Sequence, residues 1–411
     1  MLSYAEARAA LLATAAPLDR TTVPIRDAAG RALAASIVSP VALPPWNNAG
    51  MDGYAVRRDD VLQATTDTPV TLRVIGTIAA GADATQLPAL GPGEAVRIMT
   101  GAPVPASANA VVRIEDTDRG DHVVAIRDTR DTAGRGNIRP LGEDVAAGEA
   151  LFAVGDRISP SHIGVLASIG CAEVPVYVRP RVTVLCGGDE LVLLDRFDEV
   201  LAGRRIVSSS SYALPALLRD AGAEVTVMPL VPDTLDDTVR AITSAIDAGC
   251  DVLVTTGGVS VGAYDYTRDA LVAVGGRVDF WRAKIRPGGP IGTGDVRGTR
   301  WLGLPGNPVS TMVTATVFAW PLLRALGGYS QTSLRTVRVT MRDHFDTPAP
   351  LTYFVRVALS DREDGGYEAH LAGPQGSNLL RTMALANALM IVPESVNVVS
   401  PNAVFDAVML P

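Results

Sequence analysis

Residues 250–262 read CDVLVTTGGVSVG. Val252 to Thr256 form an apolar run that predicts a strand, and Gly257 and Gly258 open a glycine loop directly behind it. The neighbours repeat the pattern. TLDDTVRAITSAIDAG (234–249) predicts a helix with Val239, Ile242 and Ile246 on one face and Gly249 just past its end. DYTRDALVAVG (265–275) predicts another helix. Upstream, RVTVLCGG (181–188) is a strand running into a glycine turn. SSYALPALLRDAG (210–222) is a helix ended by Gly222, and AEVTVMPLV (223–231) is a strand. A helix from about 309 to 327 closes the series. This alternation implies an α/β fold, with a doubly wound, mainly parallel sheet and helices on both faces.

The flanks read differently. Residues 1–43 suggest one or two helices and a short strand, and Ser3 with Glu6 makes a capping box. From 44 to 141, short alternating runs such as VTLRVIG, EAVRIM and HVVAIRD are split by Gly, Pro and Asp, the pattern of a small antiparallel β domain. Residues 142–178 return to turn and helix and rejoin the first segment, which makes the β domain an insertion. The expected organisation is therefore 1–43 with 142–178, then 44–141, 179–328 and a final β domain over 329–411.

The chain has 411 residues, 47% hydrophobic, with a net charge of −8. An acidic protein without a broad basic surface is not expected to bind nucleic acid. A small anion in a locally basic pocket remains compatible. Cys171, Cys186 and Cys250 are far apart and form no C-x-x-C, so neither a zinc site nor a disulfide framework is expected, and a reducing cytoplasmic location fits. No uninterrupted apolar run suggests a membrane span.

Ligands of open α/β sheets bind beyond the carboxyl ends of the strands. Two glycine loops fall there, CGGDE (186–190) and TTGGVSVGAYD (255–265). Gly188, Gly257, Gly258, Ser260 and Gly262 let backbone approach a ligand and present N–H groups to an anion. Asp189 or Glu190 in the first loop and Asp265 in the second add carboxylates, which suit Mg²⁺ beside phosphate. The other reading is plain turns, with Asp265 capping a helix. GLPGNPVS (303–310), with Pro305, Gly306 and Asn307, is either a third anion loop or a rigid connector. Asp233 is either catalytic or a helix cap. Asp52 and Thr100 either contact a ligand or bond their own backbone, and Ser377 is either a helix N-cap or a ligand hydroxyl. WRAKIRPGGP (281–290) carries the only lysine, Lys284. In an extended strand Arg282, Lys284 and Arg286 share one face while Ala283 and Ile285 share the other.

Together, LPPWNNAGMDGYAV, RIMTGAPVP, GEDV, GDEL, TGGVSVG, PGGP, GLPGNPVS and GSNLL, in this order and nearly end to end, closely resemble the MoeA/gephyrin E-domain family of molybdopterin molybdenumtransferases. The resemblance implies transfer of molybdate to adenylylated molybdopterin with Mg²⁺ and release of AMP. It implies a MogA-like α/β domain, an inserted β domain, an elongated N-terminal domain and a C-terminal β-barrel-like domain. It also implies a homodimer with a site shared between subunits, and an adenylyltransferase of the MogA type as supplier. The family's functional positions fall on Asp52, Thr100, Asp144, Glu190, Asp233, Asp265, Arg286 and Ser377, with Glu190 and Asp265 as candidate Mg²⁺ ligands. Arg282, Lys284 and Arg286 are then expected to form a positive wall facing the pterin phosphate or molybdate.

Departures cluster in the α/β domain. RPGGP stands where the family commonly has KPGKP, so Arg286 holds the first lysine position and Gly289 the second. Serines stand in IVSSSS (206–211) where an Asp and an Asn are common. Ala263 replaces an acidic residue, and Cys186-Gly187 a Ser-Thr. These raise a second reading, a paralogue with altered or lost catalysis that acts as a molybdopterin-binding or scaffold protein.

Overall fold

The structure is a computed structural model that describes residues 1–258, 266–347, 350–363 and 365–411, with backbone only at 131, 280 and 281. The chain forms two compact units. One comprises 1–35, 154–160 and 173–411, the other 36–153 and 161–172.

The larger unit begins with helix α1 (Tyr4–Leu12). Its first turn carries the expected capping box: the Glu6 N–H donates to Ser3 Oγ, and Ser3 N–H to Glu6 Oε2 at 2.8 Å. Strands β1 (Arg181–Cys186), β2 (Glu224–Val227), β3 (Val252–Thr256), β4 (Gly276–Arg282), β5 (Pro290–Val296) and β6 (Thr299–Leu304) build one sheet in the order β2-β1-β3-β6-β5-β4. β2, β1, β3 and β6 run parallel, while β5 and β4 are added antiparallel. Between the strands lie α2 (Ser210–Asp220), α3 (Leu235–Asp247) and α4 (Thr267–Ala273); α5 (Pro308–Thr314) follows β6.

Strand alternation sorts the side chains. Val182, Val184, Val252, Val254, Leu302 and Leu304 face a core shared with α1, α2 and the 308–326 helical run. Leu185, Leu253 and Trp301 face α3 and α4 on the other side. Fully burying each such aliphatic side chain stabilises the fold by roughly 1.5–3 kcal/mol. The run Pro308–Leu326 passes through a π-helical turn at Ala315–Ala319 and is long and apolar enough to cross a membrane. However, 83% of that stretch is buried inside the protein, so its apolar surface serves the core.

Thr336–Met341, Thr352–Asp361, Tyr367–Leu371, Ala388–Val392 and Val404–Met409 pair in a closed circuit, a five-stranded barrel. Val339, Val355, Val357, Met390 and Ala407 fill its interior. On the long strand Phe354 points the opposite way, into the α/β core.

The smaller unit centres on a five-stranded sheet ordered Ala110–Arg113, Gly53–Val56, Glu94–Ile98, Val70–Ile78 and Val123–Ile126. Ala55, Val96, Ile98 and Val111 pack on one face, and Tyr54, Val56, Ala95 and Val112 on the other.

Candidate functional site

Because β1, β3 and β6 are parallel neighbours, their carboxyl ends finish on one edge. The chain leaves β1 toward β2 on one side and returns to β3 on the other, so the crevice of a topological switch lies between β1 and β3. A cleft of about 530 Å³ opens there, lined by Gly188, Glu190, Ser208, Ser209, Ser210, Asp233, Thr256, Gly257, Gly258, Gly306 and Asn307, among others. Gly257 and Gly258 adopt φ of +78° and +67°, a left-handed backbone that favours glycine. A methyl on Gly306 would stand 3.4 Å from Gly257 Cα, so two of the loops meet through bare backbone.

Two helix starts open on the cleft. Ser209 precedes α2 and makes no side-chain capping bond to it, and Asn307 precedes α5 in the same state. At α2 the Ser211 and Tyr212 N–H groups donate to the Ser208 and Ser209 carbonyls, and at α5 Pro308 has no N–H to give, so what these helix starts bring to an anion is chiefly the helix dipole. Asn307 instead donates its Nδ2–H to Ser377 Oγ at 3.2 Å, and the Val309 N–H donates to the Ser377 carbonyl, also at 3.2 Å. Ser377 is therefore neither the cap of the following helix, Leu380–Leu385, nor an isolated hydroxyl; it ties the barrel loop to the start of α5.

That barrel loop is held by Arg356, which is 1% exposed. Its backbone N–H and Nε–H donate to Gln375 Oε1 at 2.9 and 3.2 Å, and its two terminal nitrogens donate to the carbonyls of Gly376 and Pro374 at 2.9 and 3.2 Å. Burial lowers its pKa from the ordinary arginine value. Neither Arg356 nor Gln375 is among the sequence-derived candidates. The one signal was a charged residue inside the otherwise apolar run YFVRVAL. Ser208, Ser209 and Ser210 also line the cleft, although the sequence marks them only as departures.

Several candidates behave differently from expectation. Asp233 is not the cap of α3: Thr234 is, accepting from the Asp237 N–H. Asp233 Oδ2 accepts instead from the Asp189 N–H at 3.2 Å, and Asp189 Oδ1 accepts from the Asp233 N–H at 3.2 Å. Asp189 is not among the residues lining the cleft, and Pro305 is buried, its carbonyl accepting from Thr311 Oγ1 at 2.6 Å.

The three cations do not form one wall on this cleft. Their segment is not a continuous strand: β4 ends at Arg282, and Ile285–Arg286 pairs with the barrel strand Thr352–Asp361. Alternation holds, with Ala283 and Ile285 buried, but Lys284 and Arg286 part company. Lys284 Nζ lies 3.9 Å from Glu394, and the Arg286 guanidinium sits 5.9 Å from the Tyr353 ring centre. Arg286 lines a separate hollow of about 360 Å³ with Phe345, Tyr353, Gln375 and Gly376. Among the described residues lining the glycine-loop cleft there is no lysine or arginine, while Glu190 and Asp233 bring carboxylates. Among the described residues no three His, Cys, Asp or Glu side chains cluster as a metal site. Ser260, Gly262, Ala263 and Asp265 lie outside the described residues.

In the smaller unit the register Gly53↔Ile98 brings MDGYA and MTGAPVP side by side. Asp52 Oδ1 accepts from the Thr100 N–H at 2.7 Å and from Thr100 Oγ1 at 2.6 Å. These two bonds hold the Asp52 carboxyl below its ordinary pKa. Thr100→Val, which removes the hydroxyl donor, is expected to raise that pKa, and a carboxyl NMR titration measures it. The sign follows from linkage: a depressed carboxyl adds stability above its unfolded pKa and loses it as pH falls through its folded one. Less of this acid-sensitive stability should remain in Thr100→Val. Asp144 is exposed in the turn where its N–H donates to the Leu43 carbonyl at 2.9 Å.

Three family models cover the chain in succession. Residues 2–170 match the MoeA N-terminal region (domain I and II), 183–325 a probable molybdopterin binding domain, and 338–410 the MoeA C-terminal region (domain IV). Molybdopterin molybdenumtransferase 2 of Mycobacterium tuberculosis is 39% identical over 380 residues, 91% of each chain. The chain belongs to the MoeA family. Its role lies in molybdenum cofactor biosynthesis. The Haemophilus influenzae molybdopterin molybdenumtransferase is 33% identical over 405 residues, 96% of this chain and 95% of its own. The crystal structure of the molybdopterin biosynthesis moeA protein from Pyrococcus horikoshii superposes with a TM-score of 0.82 at 26% identity, covering both chains fully. The α/β, barrel and inserted β-sheet architecture is thus the MoeA one.

Proposed function

We propose that this protein is a molybdenum insertase, a molybdopterin molybdenumtransferase that transfers molybdate to the dithiolene of adenylylated molybdopterin and releases AMP. The observation that carries the reading is the cleft at the β1/β3 switch point. It joins glycine backbone, two helix starts and two carboxylates, on a chain 39% identical to a molybdopterin molybdenumtransferase. The left-handed backbone at Gly257 and Gly258 lets a phosphate-bearing ligand approach closely, and the dipoles of α2 and α5 suit its charge.

Mg²⁺ fits this donor set. A polyanionic ligand beside Glu190 and Asp233, with no cationic side chain among the described lining residues, calls for a hard cation on carboxylate oxygens. Glu190, and Asp265 by family resemblance, would hold it together with ligand phosphates, and it would neutralise charge on the breaking phosphoanhydride. The chain's own residues hold the reactants: Ser377 fixes Asn307, and Arg356 fixes the loop bearing Ser377. Arg286 in its neighbouring hollow offers a cation for molybdate. A cytosolic setting agrees with three free cysteines.

By family resemblance the working form is a homodimer whose site takes Asp52, Thr100 and Asp144 from one subunit and Glu190 from the other, supplied by a MogA-type adenylyltransferase. Sedimentation should then give twice the 42.9 kDa chain mass. Asp52→Ala and Glu190→Ala chains, each inactive alone, should regain activity when unfolded together and refolded, because mixed dimers keep one intact site. No recovery would argue against a shared site. The purified protein with adenylylated molybdopterin, molybdate and Mg²⁺ should reconstitute an apo-molybdoenzyme; failure to do so would end the insertase reading.

A further inference from the structure

The edge where β1 meets β2 continues past the end of both strands. The Met228 N–H donates to the Val184 carbonyl at 3.0 Å, the Val231 N–H to Cys186 at 2.9 Å, and the Gly188 N–H to Val231 at 3.2 Å. One residue further the backbone carbonyls no longer meet, and side chains take over. Asp189 and Asp233 each receive the other's backbone N–H, both at 3.2 Å. Arg205 adds a bond to the Asp189 carbonyl, and the Ile206 N–H donates to the Glu190 carbonyl at 2.9 Å. The next residue on one side is Glu190; Asp233 itself forms the other side, and both line the cleft.

We propose that Asp189 is a positioning residue whose carboxylate forms the last rung of the β1–β2 edge and so fixes Glu190 and Asp233 at the cleft. Its role is to hold the 231–234 loop, not to touch ligand. Each carboxylate is spent on the other residue's backbone donor. Without this rung the Asp233 N–H loses its acceptor, and the 231–234 loop is held to the β1 end only by the bond from the Asp189 N–H to Asp233 Oδ2. A displacement of about 1 Å at a reacting centre costs on the order of 100-fold in rate.

This assignment rests on the insertase reading, so its test has one arm that does not use activity. Asp189→Ala removes the acceptor, whereas Asp189→Asn keeps an oxygen at Oδ1. Hydrogen–deuterium exchange of the ligand-free protein, read on a peptide spanning residues 229–236, should run about tenfold faster in Asp189→Ala and near the wild-type rate in Asp189→Asn. In the AMP-release assay Asp189→Ala should lower kcat about 10- to 100-fold with little change in KM, and Asp189→Asn should recover most of the loss. Unchanged exchange in Asp189→Ala would overturn the rung. Restored exchange with activity as low in Asp189→Asn as in Asp189→Ala would mean that the charge itself meets ligand, and positioning would fall. A wild-type protein without AMP release would sink the functional reading alone, since the exchange arm stands apart from it.

Discussion

Glu190→Ala is expected to lower molybdate-dependent AMP release by at least about 100-fold while leaving the unfolding midpoint close to wild type. Glu190 is exposed, and its carboxylate lies over Gly188, where a methyl would stand 2.6 Å from Oε2. Truncation therefore opens no core cavity and strands no buried donor. What it removes is a hard oxygen donor from a cleft whose described lining brings only one other carboxylate, Asp233, already engaged with the Asp189 N–H. Raising the Mg²⁺ concentration should recover part of the loss in Glu190→Gln and none in Glu190→Ala, because the amide keeps a weak oxygen ligand. Wild-type turnover in Glu190→Ala would remove Glu190 from the machinery. A large fall in midpoint would assign it a structural role instead.

Arg356→Ala is expected to be the most damaging single change to the barrel and its loop. The guanidinium has no exposed surface to lose; it supplies donors to Gln375, Gly376 and Pro374 from inside the protein. Removing it takes the donor from the Gly376 and Pro374 carbonyls, leaves Gln375 Oε1 with only the backbone N–H of residue 356, and opens a void where the side chain was buried. Each unsatisfied buried group costs about 1–3 kcal/mol, so a loss of about 3 kcal/mol or more is expected. Lysine should not rescue it, since one ammonium cannot reproduce a fork that reaches three acceptors at once. Urea unfolding followed on the barrel measures the cost, and a wild-type midpoint would show the loop to be held by other means. Activity should fall as well, because Ser377 and with it Asn307 lose their anchor.

The α/β core was legible because its rules are local. The run Val252–Thr256 is apolar throughout since both of its faces are covered, and α3 is amphipathic since only one of its faces is buried. The capping box at Ser3 and Glu6 reads directly from spacing, and the helix expected over about 309–327 is found at 308–326. The glycine loops were legible as a cleft for the same reason: strand direction fixes where a parallel sheet leaves its crevice.

Tertiary relations were not legible. Alternation correctly buries Ala283 and Ile285, but it cannot say that the strand breaks after Arg282 and that Ile285–Arg286 joins another sheet. Lys284 and Arg286 therefore go to different neighbours, Glu394 and Tyr353, and none of the three cations lines the glycine-loop cleft. Asp233 looked like a cap because an aspartate before a helix usually is one; Thr234 takes that place, and the partner of Asp233 lies 44 residues away. Ser377 meets Asn307 only because the barrel packs on the α/β domain, and Arg356 meets Gln375, Gly376 and Pro374 only because the barrel folds its own loop back over the strand. Asp52 and Thr100 are an intermediate case. Each reads as a specific turn, yet only the register Gly53↔Ile98 brings them together.

The central claim is that this chain consumes adenylylated molybdopterin and molybdate together. Its most direct test is single-turnover AMP release from purified protein loaded with adenylylated molybdopterin and Mg²⁺, with and without molybdate. Adding molybdate should release one AMP per occupied site, with little released without it and a fall of at least about 100-fold in Glu190→Ala. AMP release that is absent, or equally fast without molybdate, would contradict it.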